Sequence, residues 1–319
     1  MSQYGNDSTA DTTYQEKPEV KSREKKRRDR KTGWVIFGFL APAMAFYFLY
    51  VVFAIFMTVY YSVFEWSGID DDMNFIGFQN YLTMFADGAF WQSVGNNFLL
   101  VFSSLFTQLP LGLIMALMLF SPIKGIRFFR SIYFMPFLMS TVAIGILFTY
   151  IYDPTYGLVN EFLRAVGLGN FTRGWLGNEA TAIWAIIVVV IWQFAPFYMI
   201  LFRAAIVGIP EDLYEAADID GATPWQRFTN VTLPLLMPTI ITSSILSVIG
   251  ALKYFDLIYV MTGGGPNNST HLMATYMYDH AFSHFNMGYG SGISFSMFII
   301  ALIATIFILW FDRRRKGEF

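Results

Sequence analysis

Apolar residues along this chain gather into long unbroken runs, not into the one-sided stripes of elements that bury a single face in a soluble core. The first run extends from Trp34 to about Tyr61, and clean runs follow at about Phe98 to Phe120, Ser131 to Tyr152, Thr181 to Phe202 and Gly292 to Phe311. A less pure run covers about Leu235 to Val260. Each is near or above the ~20 residues that a helix needs to cross ~30 Å of hydrocarbon. The pattern predicts an all-α, polytopic membrane protein with six transmembrane helices. Because the first run far exceeds the ~7 to ~15 residues of a signal-peptide core, it is expected to stay as a spanning helix.

Composition agrees with lipid as the main solvent. Of 319 residues, 55% are hydrophobic and only 14% charged, well below the roughly one quarter usual in soluble domains. Net charge is −2, so no overall basicity points to nucleic acid, and the absence of cysteine excludes a disulfide framework, a thiolate metal site and a cysteine nucleophile. Residues 1–32 are polar and aperiodic, end in the basic run Lys21 to Lys31, and read as a disordered tail ahead of a membrane domain over 33–319.

Charge placement sets the expected orientation, since cytoplasmic flanks retain Lys and Arg. With the N-terminus inside, the inner segments hold the basic tail, Lys124, Arg127 and Arg130, then Arg203 and Arg227, then Arg313 to Lys316. The outer segments hold only Arg164 and Arg173, and the first outer loop, Ser62 to Asn97, has no basic residue. Both termini are therefore expected in the cytoplasm of a multi-pass plasma (inner) membrane protein.

The most informative connection is the inner loop at about 204–233. After Pro210, the stretch Glu211 to Gly221 has acids in its first turn and glycine at its end, which predicts a short helix. Thr223-Pro224-Trp225-Gln226 then reads as a capping box that starts a second one. A helix, a glycine turn and a helix make an element suited to pressing on another protein, although a hairpin closing the bundle would read similarly.

Within it, Glu215-Ala216-Ala217, Asp220-Gly221-Ala222, then Phe228, Val231, Leu233 and Pro234 resemble the EAA loop of binding-protein-dependent ABC permeases, with Val231 in place of the usual isoleucine. In that family the loop is a coupling helix seated in the ATPase, so the resemblance implies that Glu215, Ala216, Ala217, Asp220, Gly221 and Ala222 form the ATPase joint. The block Lys253 to Pro266 resembles the carbohydrate-uptake branch, the maltose and glycerol-phosphate type permeases. That resemblance implies a permease subunit working with a second permease chain, two cytoplasmic ATPase subunits and an external binding protein. It further implies import of a sugar or polyol by alternating access.

No Walker A sequence occurs, so ATP and Mg are expected on the partner ATPase, with no cofactor and no enzyme activity in this chain. His280 and His284 are four apart, but Ala281 stands where a zinc hydrolase needs glutamate, and no metal is expected. Polar groups at mid-membrane depth are the default candidates for a solute path. Gln108 and Gln193 fall there, near Pro110 and Pro196. Trp192, Phe197 and Tyr198 with Gln193, and Lys253, Tyr254, Phe255 and Asp256, supply the hydroxyl partners and flat apolar faces a sugar needs. Lys253 and Asp256 could instead be a neutralised pair on one helix face near the outer interface. The competing readings are an ABC permease for another solute, such as an amino acid, and an ion-coupled secondary transporter, which should show inverted repeats.

Overall fold

Polar residues at the edges of the apolar runs fix where the helices begin. The computed structural model describes residues 35–119 and 126–316, so the predicted tail over 1–32 lies outside the described residues. The described residues divide into two units between Met57 and Thr58. The first contains most of α1 (Val35–Ser62), long and apolar enough to span a bilayer, with a π-helical turn at Phe48–Val52.

The second unit begins with a small antiparallel pairing of Phe64–Glu65 with Asn74–Phe75, followed by α2 (Gln79–Ala86). Helix α3 (Gly88–Met118) starts well before the predicted Phe98. Its cap is Asp87, whose carboxylate accepts the Ala89 amide at 2.9 Å. The added turns carry Ser93, Asn96 and Asn97, polar residues that broke the apolar run in sequence but are buried in the fold. A π-helical turn at Ser104–Gln108 precedes Pro110.

The predicted third span, Ser131 to Tyr152, is a helix pair, α4 (Ile126–Leu138) and α5 (Thr141–Ile151), bent by 102°. Pro136 lies inside α4, next to this break. Among the described residues five helices are long and apolar enough to cross a membrane, and the count reaches six if this bent pair is one span.

A short amphipathic helix, α6 (Leu158–Ala165), leads to α7 (Glu179–Val207), capped by the Asn178 side chain. Next come α8 (Glu211–Ile219), α9 (Pro224–Arg227) and α10 (Leu233–Leu252). The predicted fifth span is interrupted at Lys253–Phe255 and resumes as α11 (Asp256–Met261). Helix α12 (Met273–Tyr278) and the long α13 (Met287–Lys316) complete the chain.

Helix α7 is the axis of this unit. Its Ile183, Ile186 and Val190 pack with Leu100, Ile144 and Leu257, and its Tyr198, Met199 and Phe202 pack with Leu109, Ala116 and Leu236. In lipid, moving apolar groups between solvent and core gains little, so close packing and internal hydrogen bonds must hold such helices together. Gly112 shows how close: a Cβ there would lie 2.8 Å from Tyr198 Cβ and 3.1 Å from the Ala195 carbonyl oxygen. The opposite face of α3 presents Phe102, Phe106 and Ile114 outward, as a lipid-facing surface should.

Candidate functional site

Two places stand out, one outside the spanning segments and one between them. The first is the α8–α9 hairpin. Glu211 and Asp212 occupy the first turn of α8, where the helix dipole favours negative charge. The helix closes with a pair of bonds, Ala222 N–H to the Ala217 carbonyl at 2.9 Å and Gly221 N–H to the Asp218 carbonyl at 3.1 Å, and Gly221 takes φ +71°. Thr223 and Gln226 form the predicted capping box. Arg227 then reaches back to pair with Asp218 at 2.5 Å and lies 5.9 Å from the Tyr214 ring, while Tyr214 hydroxyl meets Thr232 Oγ1 at 3.0 Å.

The hairpin is therefore braced from within, yet no residue of α8 is buried. Glu215, Ala216, Asp220 and Gly221 are exposed, and Ala217 and Ala222 half-buried. Ile219 and Trp225 are 87% and 70% exposed, large apolar side chains on a connection that lies between spans. A cavity of about 680 Å³ opens along the hairpin, lined by Leu117, Ile206, Glu211, Tyr214 and Phe228 among others. A rigid element with an uncovered apolar face is how a partner-binding surface is built.

The second place is a polar pocket of about 60 Å³ between α3, α7 and α10. Ser104 and Gln108 come from the π turn of α3, Tyr198 from α7, and Ser247 and Tyr254 from α10 and the break after it. Phe194 forms one wall, with its ring 5.9 Å from that of Tyr254. Gln108 Oε1 and the Tyr254 hydroxyl are buried and meet no hydrogen-bond partner among the described residues. Leaving such a group unmatched costs about 1–3 kcal/mol, which a hydroxyl-bearing ligand or about two waters could relieve in this volume.

Of the predicted path residues, the fold thus gathers Gln108, Tyr198 and Tyr254. Gln193 lies elsewhere, donating to Thr141 Oγ1 at 3.0 Å. Trp192 packs on Phe148, Phe197 stacks on Phe137, and Phe255 stacks on Tyr259. Lys253 and Asp256 are exposed and form no ion pair among the described residues, and the helix ends between them. Sequence reading missed Ser104, Ser247 and Phe194. The four-residue spacing of Ser104 and Gln108 was the one signal available.

A third polar group ties the start of α3 to α12 and to the first turn of α13. Asp87 Oδ2 accepts the Tyr276 and Tyr289 hydroxyls at 2.5 and 2.7 Å. Burial raises the Asp87 carboxyl, but these bonds and the Ala89 and Phe90 amides outweigh it and hold it below the usual carboxylate value. His280 packs its ring 4.6 Å from Tyr276 and 4.8 Å from Tyr289. Burial, with His284 adding to it, lowers His280, and burial also lowers His271. Among the described residues no cluster of three or more His, Cys, Asp or Glu is arranged to hold a metal.

The described residues thus form a multi-pass helical bundle with a small pocket between its helices and an exposed hairpin between two spans. The chain belongs to the family described as binding-protein-dependent transport system inner membrane component, whose model matches residues 108–317. It is thus an inner-membrane permease subunit and not itself an enzyme. The chain is 37% identical to a probable ABC transporter permease protein, YurN, of Bacillus subtilis, over 88% of this chain and 96% of that one. It is 34% identical to the trehalose/maltose transport system permease protein MalF of Thermococcus litoralis, over 91% and 97%. With the diacetylchitobiose uptake system permease protein NgcF of Streptomyces coelicolor it shares 32% identity, over 97% and 92%. In fold it matches a chain of a bacterial ABC transporter that imports the acidic polysaccharide alginate, with a TM-score of 0.78 and 24% identity, over 91% and 99% of the two chains.

Proposed function

We propose that this chain is the permease subunit of an ATP-driven importer that carries a carbohydrate, delivered by an external binding protein, through a path it shares with a second permease chain. The observation that carries the reading is the α8–α9 hairpin, internally braced yet presenting Ile219 and Trp225 uncovered. With both termini in the cytoplasm, as the Lys and Arg distribution indicates, the hairpin lies on the cytoplasmic side. There it docks on an ATPase subunit through Glu215, Ala216, Ala217, Asp220, Gly221 and Ala222. ATP and Mg reside on that partner, and this chain holds no cofactor.

Closure of the ATPase pair pulls on the hairpin, and because the hairpin is stiff the pull reaches the bundle as a rigid movement. Relatives whose names specify trehalose/maltose and diacetylchitobiose uptake support a sugar over an amino acid. The pocket at Gln108, Tyr198 and Tyr254, with its unmatched oxygens, offers hydroxyl recognition on the path. Phe194 offers a flat apolar wall for the carbon face of a sugar ring. Trp192, Gln193, Phe197, Lys253, Phe255 and Asp256 stand outside this pocket and are assigned to the path's surroundings.

The test is ATP-dependent uptake of labelled sugars into proteoliposomes holding the chain with its partner subunits and binding protein, against the Gly221→Asp variant. At φ +71° a side chain strains the turn and places a charge on the docking face. Uptake should require the binding protein and collapse in the variant while the membrane complex still assembles. Normal transport by the variant, or uptake without ATPase, would reject the mechanism.

A further inference from the structure

The interruption of the fifth span creates a problem that α3 solves. At its C-terminal end α10 leaves carbonyls with no partner inside the helix, and at its N-terminal end α12 leaves amides in the same state. Where they are buried from water, each must be met by the protein. Asn97, wholly buried on α3, meets both. Its Nδ2 donates to the Ala251 carbonyl at 2.9 Å and to the Leu252 carbonyl at 3.3 Å, and its Oδ1 accepts the Met273 amide at 2.8 Å. A primary amide carries donor and acceptor on one rigid plane, and few side chains can serve both ends at once. Its neighbour Asn96 donates to the Ser269 and His271 carbonyls, each at 2.9 Å, so the return segment before α12 is fastened to the same helix.

The same face of α3 then continues into the polar pocket. Asn97, Leu100, Ser104 and Gln108 follow one another at helical spacing, and the last three line the pocket. Across it stands Tyr254, two residues beyond the Leu252 carbonyl that Asn97 holds. One amide thus links the helix that carries Gln108 to the helix end that precedes Tyr254. We propose that Asn97 is a positioning residue for transport: it holds the broken end of the fifth span at a fixed register against α3, and so keeps Tyr254 facing Gln108. The inference rests on the pocket's place in the path assigned above, but its test needs no solute.

The chain has no cysteine, so Tyr254→Cys supplies a lone thiol in the full chain, assembled with its partners. Its rate of modification by a methanethiosulfonate reagent reads how tightly the break is held, and hydrogen exchange of the Met273 amide reads the other end of the clamp. Adding Asn97→Leu should speed both by about tenfold or more, the loss of one to two buried hydrogen bonds, while exchange in the α7 core around Val189 stays as it was. Asn97→Asp separates positioning from bulk. When protonated its hydroxyl can donate to Ala251 while its other oxygen accepts from Met273; when ionised it faces the carbonyls as a charge. Thiol modification relative to the Tyr254→Cys chain at the same pH should therefore be slow in acid, where the carboxyl keeps its proton, and fast in alkali, where it has lost it. Unchanged rates in Asn97→Leu, or a rise spread equally into α7, would overturn the proposal. A wild-type complex that imports no sugar while Asn97→Leu still frees Met273 would sink the solute assignment and leave the clamp standing.

Discussion

The hairpin and the break in the fifth span are both irregular, and they are held in opposite ways. The hairpin's braces join residues nine and eighteen apart in sequence, Asp218 with Arg227 and Tyr214 with Thr232. Those at the break join residues 154 and 176 apart, Asn97 with Ala251 and with Met273. A locally held element keeps its shape when its surroundings move, and so can transmit a push. One held from a distance keeps its shape only while the bundle around it does, and so can change with the bundle. The first suits a joint and the second a gate.

The largest effect should come from removing the hairpin's uncovered apolar anchor. Trp225 is 70% exposed, and its ring lies 5.6 Å from Phe228 but otherwise faces outward. Aromatic anchors at interfaces typically cost about 2 kcal/mol or more when truncated. Trp225→Ala should therefore weaken association with the ATPase by about thirtyfold and leave the thermal stability of the membrane subunit as it was. Titration of purified ATPase against the reconstituted chain measures the first, and a melting curve of the chain alone the second. A drop in stability with unchanged association would mean that the hairpin closes the bundle and does not dock.

At the pocket the expected signs are reversed. Gln108 has a buried oxygen with no partner among the described residues, so Gln108→Leu removes a desolvated polar atom and should leave stability unchanged or raised by about 1 kcal/mol. Uptake should nevertheless fall, through a solute concentration for half-maximal rate about tenfold higher. Stability and transport moving apart in this way is what a recognition group produces. Loss of both together would make Gln108 a packing residue.

That contrast also explains what could be read in advance. The hairpin was legible down to its capping box and glycine stop because those signals lie within three or four residues of one another, and even its longest brace spans only eighteen. Run length was equally local, and gave the spans to within a turn or two for α7 and α13. The start of α3 was misplaced because Asn96 and Asn97 look like loop residues until their partners arrive from Ser269, Ala251 and Met273. The 102° bend between α4 and α5 was missed because apolar character passes smoothly through Pro136. Likewise the Lys253 and Asp256 pairing assumed a continuous helix where the chain breaks.

The smallest effect should be the response of the distance-held region to acid. Asp87 anchors it at the far end of α3 through Tyr276 and Tyr289, with His271 and His280 packed on the same tyrosine and Asp279 and His284 nearby. Both histidines are held below their ordinary value, so the fold prefers them neutral. The stability this gives is complete above the unfolded value of about 6.5 and is lost as pH falls towards the lowered folded values. Asp87 is likewise held low, so its contribution is complete above about 4 and is lost only as pH falls through its folded value. Acid should therefore loosen the knot in two stages, histidines first. Hydrogen exchange over residues 271–289 between about pH 7.5 and 5 should rise in the wild type and rise less in His280→Gln, with the α8–α9 hairpin showing no matching change. An equal rise in both chains would assign the acid response to groups outside this knot.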